Sequence, residues 1–119
     1  MEMKLFDSEL KVLEALWKGG DQTAGQLAKV LQGQVGWNRN TTYTVIKKLV
    51  DKGAIERLEP NFTCHAAITK EQVRQREAET LVDKLFDGSA ELFLSAYISG
   101  KGISEDEIEG LRRLVEKLK

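Results

Sequence analysis

The sequence predicts a mainly α-helical protein with one short β-hairpin between two helical parts. Apolar residues recur at intervals of three and four through most of the chain, as they do on the buried face of a helix. Polar capping residues and glycines divide these stretches into short helices. Between about residues 54 and 68 the helical period gives way to alternation and β-favouring residues around a proline. That change predicts a two-strand hairpin.

The first predicted helix covers about Ser8 to Lys18. Asp7 or Ser8 is expected to cap it, because a short polar side chain can satisfy a free N–H group of the first turn. Gly19-Gly20 is expected to end it. Its apolar face consists of Leu10, Leu13, Leu16 and Trp17.

A capping box opens the second predicted helix. Thr23 and Gln26 have the spacing at which each side chain satisfies one free N–H group of the first turn. The helix is expected to end near Gly33. Its inward positions are Leu27, Val30 and Leu31.

The third predicted helix carries the most informative pattern of the chain. Asn38 is a good N-cap and Gly53 a good C-terminal stop. One face is apolar, with Thr42, Val45, Ile46 and Leu49. The opposite face has hydrogen-bonding groups and few acids, and it comprises Asn40, Tyr43, Thr44 and Lys47 with Arg39 and Lys48 at the flanks. Such a face is suited to lie in a groove of DNA.

The segment after Gly53 predicts the hairpin. Residues 54–58 alternate, and residues 62–68 are β-favouring or small. Glu59-Pro60-Asn61 forms the turn, since proline fixes φ at its second position and asparagine tolerates the third. Because its strands are short, the hairpin must pack against the helices. Three helices followed by such a wing predict a winged helix-turn-helix domain with the third helix as the recognition helix.

The rest of the chain is predicted to be helical again. Thr69 and Gln72 form a capping box for a helix that runs to about Phe86. Ser89 is expected to cap a short helix, and Ser104 with Glu107 opens the last one. The breaks between them are Asp87-Gly88 and a turn bracketed by Gly100 and Gly102.

Three helices of this size are too few to bury a sufficient core alone, and isolated apolar stripes usually pair with a second copy. We therefore predict a DNA-binding domain over residues 1–69 and an α-helical dimerisation domain over residues 70–119. The residues expected at the dimer contact are Leu81, Leu85, Leu92, Phe93, Tyr97, Ile108, Leu111, Leu114 and Val115.

The charge distribution fits a binding head joined to a separate interaction module. Residues 1–70 contain 10 Lys/Arg and 8 Asp/Glu, a net charge of +2, whereas residues 71–119 contain 8 and 11, a net charge of −3. No apolar run approaches the roughly 20 residues of a membrane span, and no leader segment is apparent. The single cysteine fits a reducing compartment. We expect a cytoplasmic protein without membrane insertion.

Enzyme activity, cofactors and a metal site are not predicted. The chain has one histidine, and it lacks a Ser/His/Asp set and a glycine-rich phosphate loop. Cys64 and His65 are neighbours on a strand, so their side chains point to opposite faces and cannot easily share an ion. Cys64 is expected to be a partly buried wing residue, and Trp17 and Trp37 core residues.

The sequence resembles the BlaI/MecI-type penicillinase repressors, bacterial winged-helix regulators that also include the CopY-like copper repressors. The resemblance covers nearly the whole chain. The run W-x-x-x-T-x-x-T-x-x-x-[KR]-L-x-x-K-G, followed by I-S-x-x-E-I-x-x-L, is its most specific part. The matching segments are Leu10–Trp17, Gly36-Trp37-Asn38, Thr41–Arg57, Leu81–Ser89 and Ile103–Leu118.

The resemblance implies a homodimeric repressor that binds an inverted-repeat, double-stranded DNA operator. It also implies inactivation by proteolysis of the dimerisation domain when a membrane sensor is triggered, with the scissile site near Ala96-Tyr97. The cysteine-rich C-terminal motif of the copper-responsive branch is absent. Together with the helical pattern, the resemblance gives the predicted DNA contacts as Asn38, Arg39, Asn40, Thr41, Tyr43, Thr44, Lys47 and Lys48.

This sequence departs from the family at three of those positions. Asn38 replaces a common serine, Asn40 stands where many relatives have lysine, and Tyr43 stands where a long polar residue is usual. An asparagine can bond an adenine edge in two places, and a tyrosine can contact a thymine methyl group or a phosphate.

Two other interpretations remain open. A repressor of the same fold could be released by a small ligand instead of cleavage. A winged helix can also serve as a protein-interaction module, because one fold can host unrelated functions.

Overall fold

The computed structural model describes residues 3–119, so Met1 and Glu2 of the predicted first domain lie outside it. Residues up to Arg74 form one compact unit, and Gln75–Lys119 form a second. The predicted fold, a winged helix-turn-helix with a helical C-terminal part, is confirmed. The elements in chain order are α1 Asp7–Gly19, β1 Gln22–Thr23, α2 Ala24–Val35, α3 Arg39–Lys52, β2 Ile55–Leu58, β3 Thr63–Ala66, α4 Lys70–Leu85, α5 Ala90–Lys101 and α6 Glu105–Lys117.

The core of the first unit lies between α1, α2 and α3. The predicted apolar face of α3 is confirmed, since Thr42, Val45, Ile46 and Leu49 are all buried. On α1, Leu13 and Leu16 are buried, whereas Leu10 and Trp17 lie at the edge of the core. The Trp17 indole donates a hydrogen bond to the Ile68 carbonyl at 2.9 Å, which joins α1 to the segment after the wing.

The predicted caps of α2 and α3 are confirmed. The Gln26 N–H lies 3.1 Å from Thr23 Oγ1, and the Thr23 N–H lies 2.9 Å from Gln26 Oε1. Asn38 Oδ1 accepts the Thr41 N–H at 2.8 Å. The predicted end of α2 near Gly33 is wrong: the helix continues to Val35 and ends at Gly36, which has a φ of 73°. A helix tolerates an internal glycine at a cost of only about 1 kcal/mol.

The predicted cap of α1 is also wrong. The N-cap position is Phe6, and the Glu9 carboxylate accepts its backbone N–H at 2.8 Å. Neither Asp7 nor Ser8 is the cap, because both lie within the first helical turn. Glu9 therefore supplies the N3 half of a capping box, in which an acidic or amide side chain accepts the backbone N–H of the N-cap residue.

The wing contains one strand more than predicted. The sheet has the order β1-β3-β2, with Gln22 opposite Cys64 and Thr23 opposite Thr63. The prediction of a two-strand wing omitted β1, because a strand of two residues has too few positions to show alternation. This short strand ties the start of α2 to β3, the second strand of the predicted hairpin and the central strand of the sheet.

The C-terminal unit is helical, as predicted, and the caps Ser89 and Ser104 are confirmed. The predicted turn starting at Gly100 is wrong, since α5 runs to Lys101 and only Gly102, with a φ of 76°, ends it. None of residues 75–119 is buried. No helix in the described part of the chain is long and apolar enough to cross a membrane.

Candidate nucleic-acid interface

The outward face of α3 is the candidate interface. All of its predicted contact residues are exposed except Tyr43, which is half-buried. Its buried residues occupy the opposite face, so the same helix contributes to the core and presents polar groups to solvent. The exposed set is Asn38, Arg39, Asn40, Thr41, Thr44, Lys47 and Lys48.

The polar groups of this face differ in how free they are to bind a partner. The Asn38 side-chain oxygen is used by the cap. The Thr44 hydroxyl donates to the Asn40 carbonyl at 2.9 Å and keeps its lone pairs for an outside donor. No residue from Met3 onward pairs with the ammonium groups of Lys47 or Lys48, so these two cations face solvent. The face therefore offers hydrogen-bonding groups beside two available cations.

Four side chains connect α3 to the wing, and we call them the wing–helix stack: Arg39, Tyr43, Phe62 and Arg57. The Arg39 guanidinium lies 5.2 Å from the Tyr43 ring centroid and donates to the Tyr43 hydroxyl at 3.0 Å. The Tyr43 and Phe62 rings meet edge to face with centroids 6.3 Å apart. The Arg57 guanidinium lies 3.8 Å from the Phe62 centroid, within the range of a cation–π contact. An arginine thus stands at each end of an aromatic pair.

Phe62 is held in place by its backbone as well as by its ring. Its φ is 49°, in the left-handed region that a bulky residue seldom adopts. Its carbonyl accepts the Ala24 N–H at 3.0 Å, which joins the wing to the first residue of α2. The wing tip is therefore fixed against both helices of the helix-turn-helix.

The last residue of α3 is anchored to α1. Lys52 Nζ lies 2.6 Å from Glu9 Oε1 and 2.7 Å from the Lys4 carbonyl oxygen, and it lies 4.8 Å from the Phe6 ring centroid. Glu9 is 1% exposed. This anchor fixes the C-terminal end of α3 relative to the rest of the first unit.

Cys64 and His65 lie on opposite faces of β3, as predicted, with Cys64 buried and His65 exposed. Cys64 is fully buried, so the expectation of partial burial is wrong, and burial raises the pKa of its thiol to about 11. His65 Nδ1 lies 2.8 Å from Asp21 Oδ1, and this hydrogen bond raises the pKa of the imidazole. Within residues 3–119, no group of three metal-ligating side chains comes together.

The predicted dimer residues form an apolar surface on the C-terminal unit. Phe93 and Leu111 are half-buried, and the others are exposed. The Phe93 ring contacts Phe86 and Tyr97 at centroid distances of 5.4 and 6.1 Å. An apolar groove of about 310 Å³ runs along α6, lined mainly by Ile98, Ile103, Ile108, Leu111 and Val115.

Sequence reasoning missed two parts of the site. Arg57 and the Glu9–Lys52 anchor were not predicted to matter. Arg57 lies two residues after buried Ile55 on the same strand, so both side chains project to the same face of the wing. The burial of Ile55 indicates that this face is turned toward the helices. Nothing in the sequence marks Glu9 as buried, because it looks like an ordinary first-turn acid.

A helix-turn-helix with a polar outward third helix and a wing fixed beside it defines the winged helix-turn-helix class, a class in which the third helix enters the major groove. The sequence model of the penicillinase repressor family matches residues 5–117 of this chain. The chain therefore belongs to the penicillinase repressor family of DNA-binding transcriptional repressors.

Relatives with known names agree with this assignment. The chain is 23% identical to the methicillin resistance regulatory protein MecI of Staphylococcus aureus strain N315 over 116 residues, which cover 96% of this chain and 94% of MecI. The MecI protein of Mammaliicoccus sciuri shows the same identity and coverage. The penicillinase repressor of Bacillus licheniformis is 20% identical over 118 residues, covering 98% of this chain and 92% of that protein.

Proposed function

We propose that the chain is a homodimeric repressor that binds an inverted-repeat operator, with residues 1–69 as its DNA-binding domain and residues 70–119 as its dimerisation domain. The outward face of α3 is the observation that carries the proposal. It presents Asn40, Thr44, Lys47 and Lys48 to solvent while the opposite face is locked in the core. Each copy would lay this face in the major groove of one half-site, as helix-turn-helix dimers do.

The exposed polar groups divide by chemistry into two roles. Asn40 and Thr44 can hydrogen-bond to base edges and would read sequence. Lys47 and Lys48 can pair with phosphates and would supply affinity that depends on salt but not on sequence. Arg39 and Tyr43 are held together by their own hydrogen bond, so they would bind as one preformed unit.

Dimerisation is supported by the apolar surface of the C-terminal unit. Leu114, Val115 and Leu85 expose more than half of their surface, and none of residues 75–119 is buried. A unit with so little internal burial gains stability by covering this surface with a second copy. The two copies would each contribute α4, α5 and α6.

Release by proteolysis is the favoured mode of induction. Ala96 and Tyr97 are exposed on α5 in the single chain, in the unit in which no residue from 75 to 119 is buried. A protease needs an extended substrate, so cleavage there requires local opening of α5, which is easiest where few apolar contacts resist it. The protease would belong to a membrane sensor system acting on a cytoplasmic repressor.

A second mode is supported by the groove along α6. Its volume of about 310 Å³ and its apolar lining match the lower range of small-ligand sites. A ligand there would compete with dimerisation and release the operator without cleavage. Repressor that stays intact after induction would favour this mode, and fragments ending near Ala96 would favour proteolysis.

The experiment that tests the function is a fluorescence-anisotropy titration against the DNA upstream of the chain's own gene, at two salt concentrations, with scrambled DNA as the control. A preference of roughly a thousandfold or more with steep salt dependence would support a specific repressor. Equal affinity for both DNAs would contradict specific operator binding at that locus. Absence of binding to either DNA would favour a protein-interaction module.

A further inference from the structure

The wing carries a cation whose partner is another wing residue. Arg57 Nε lies 2.6 Å from Glu59 Oε1, and both side chains are about half exposed. No other hydrogen bond of the Arg57 guanidinium is formed with residues 3–119. This ion pair is separate from the predicted contact residues of α3, and its role is unassigned by the function proposed above.

Strand parity places Arg57 on the side of the wing that faces α3. Arg57 is paired with Cys64 across β2 and β3, and paired residues of neighbouring strands project to the same face. Cys64 points into the core, so Arg57 projects from the same, core-facing side of the sheet. Its side chain is still about half exposed, so it lies at the edge of the core. Phe62 and Tyr43 then connect it to the outward face of α3.

From this arrangement we infer that Arg57 is a DNA-phosphate contact and that Glu59 competes with the phosphate for it. In the free protein Glu59 and the Phe62 ring hold the guanidinium in place. On DNA the guanidinium exchanges the Glu59 carboxylate for a backbone phosphate, and Glu59 turns to solvent. Glu59 thereby lowers affinity for all DNA and leaves operator discrimination to α3. This inference rests on the proposed DNA-binding function.

The energetics of the two partners favour such an exchange. A solvent-exposed ion pair contributes little to stability, because water screens it and two side chains must be ordered. An arginine–phosphate contact also releases condensed counterions from DNA. The wing–helix stack keeps the Arg57 guanidinium ordered during the exchange, so little further side-chain entropy is lost on DNA binding.

The test is a double-mutant cycle with full-length protein and two DNAs, the operator and a scrambled duplex. The variants are Glu59→Gln, Arg57→Met and the double variant, and Arg57→Met keeps a long apolar side chain against Phe62. Glu56→Gln is the matched control, since Glu56 is an exposed wing acid on the opposite face of β2. Thermal melting checks that all variants fold.

Glu59→Gln is expected to strengthen binding to both DNAs by roughly two- to fivefold for each wing engaged. Arg57→Met should weaken binding to both and reduce the salt slope by about 0.9 for each wing. In the Arg57→Met background, Glu59→Gln should have almost no effect. Glu56→Gln should give a smaller gain than Glu59→Gln.

Two outcomes would overturn the inference alone. An equal gain from Glu59→Gln with or without Arg57 would show simple repulsion between Glu59 and DNA. If the wild type binds DNA and every variant binds it with the same affinity, the wing pair has no role in DNA binding. Failure of the wild type to bind either DNA would instead overturn the proposed function, and this inference with it.

Discussion

Glu9 and Lys52 form an ion pair between α1 and the end of α3, with Oε1 and Nζ 2.6 Å apart. The carboxylate is almost fully buried, whereas the ammonium keeps contact with solvent. Glu9 Oε1 also accepts the Phe6 N–H, and Oε2 has no hydrogen-bond partner among residues 3–119. The position of α3 therefore depends on a buried charge with one stabilising cation.

Removal of the Lys52 charge is expected to destabilise the protein more than removal of the Glu9 charge. Lys52→Met leaves a buried carboxylate unpaired and should lower the free energy of unfolding by about 3 kcal/mol. Glu9→Gln keeps an acceptor for the Phe6 N–H and leaves a lysine that can hydrate, so about 1 kcal/mol is expected. Urea unfolding measures both. The double variant should be more stable than Lys52→Met alone, and simple additivity of the two losses would contradict the coupling.

Thr44→Ala and Lys48→Ala should weaken DNA binding in different ways. Thr44→Ala is expected to lose about 1–3 kcal/mol of binding free energy at particular base pairs. Lys48→Ala should weaken binding to all sequences and reduce the salt slope by about one for each head. Anisotropy titrations with single-base operator variants separate the two effects. A Thr44→Ala loss of the same size on every DNA would argue against base reading by this residue.

Leu114→Asp is expected to convert a dimer into a monomer, because it places an unpaired charge in an apolar contact. Leu114 is 58% exposed in the single chain, so the change should leave the helix itself intact. Sedimentation velocity gives the readout. Arg113→Asp on the same helix is a stringent control, since it changes the charge more and should leave the dimer in place. A monomeric wild type would refute the dimer itself.

The Cys64 thiol should resist thiol reagents in the folded protein and react on unfolding, because it is fully buried and its pKa is raised to about 11. A raised pKa keeps the thiol protonated in the folded state. Stability should thus be complete below the usual thiol pKa of 9.0 and fall as pH rises towards 11. The expected slope is at most about 1.4 kcal/mol per pH unit. Urea titrations of Cys64→Ala should lack the part of this fall in stability that is due to the thiol. An identical pH profile for the variant and the wild type would contradict the role of Cys64.

The imidazole of His65 should titrate above its ordinary range. Its pKa is raised first by the hydrogen bond to Asp21 and then by the charges of Asp21 and Glu56. Proton NMR can follow it without ambiguity, since it is the one histidine of the sequence. Asp21→Asn should lower the midpoint towards about 6.5. The stability that this contact contributes should be present below about pH 6.5 and lost as pH rises through the pKa of the folded state. If Asp21→Asn does not move the titration midpoint of His65, the pairing is excluded.

The parts of the fold that were predictable are those that depend on neighbours along the chain. The apolar face of α3, the cap Asn38 and the capping box at Thr23 each follow from spacing within one helix. The missed parts depend on residues distant in sequence. Glu9 is buried because Lys52 reaches it from another helix, and β1 exists because β3 lies beside it.

The same division holds for the candidate site. The exposed side of α3 could be read from periodicity alone. The wing–helix stack could not, because it joins Arg39 and Tyr43 to Arg57 and Phe62 through a left-handed residue and a turn. The turn was predicted from Pro60 and Asn61, but the positive φ occurs at the next residue, Phe62.

The separation of the two faces of α3 bears on how such a protein can diverge during evolution. Asn40, Thr44 and Lys47 are exposed, so substitutions there can change the surface chemistry from one descendant to the next without a loss of folding. Tyr43 is the exception, because its ring contacts Phe62. A lineage that replaces Tyr43 must adjust its wing too, and these two positions should change together.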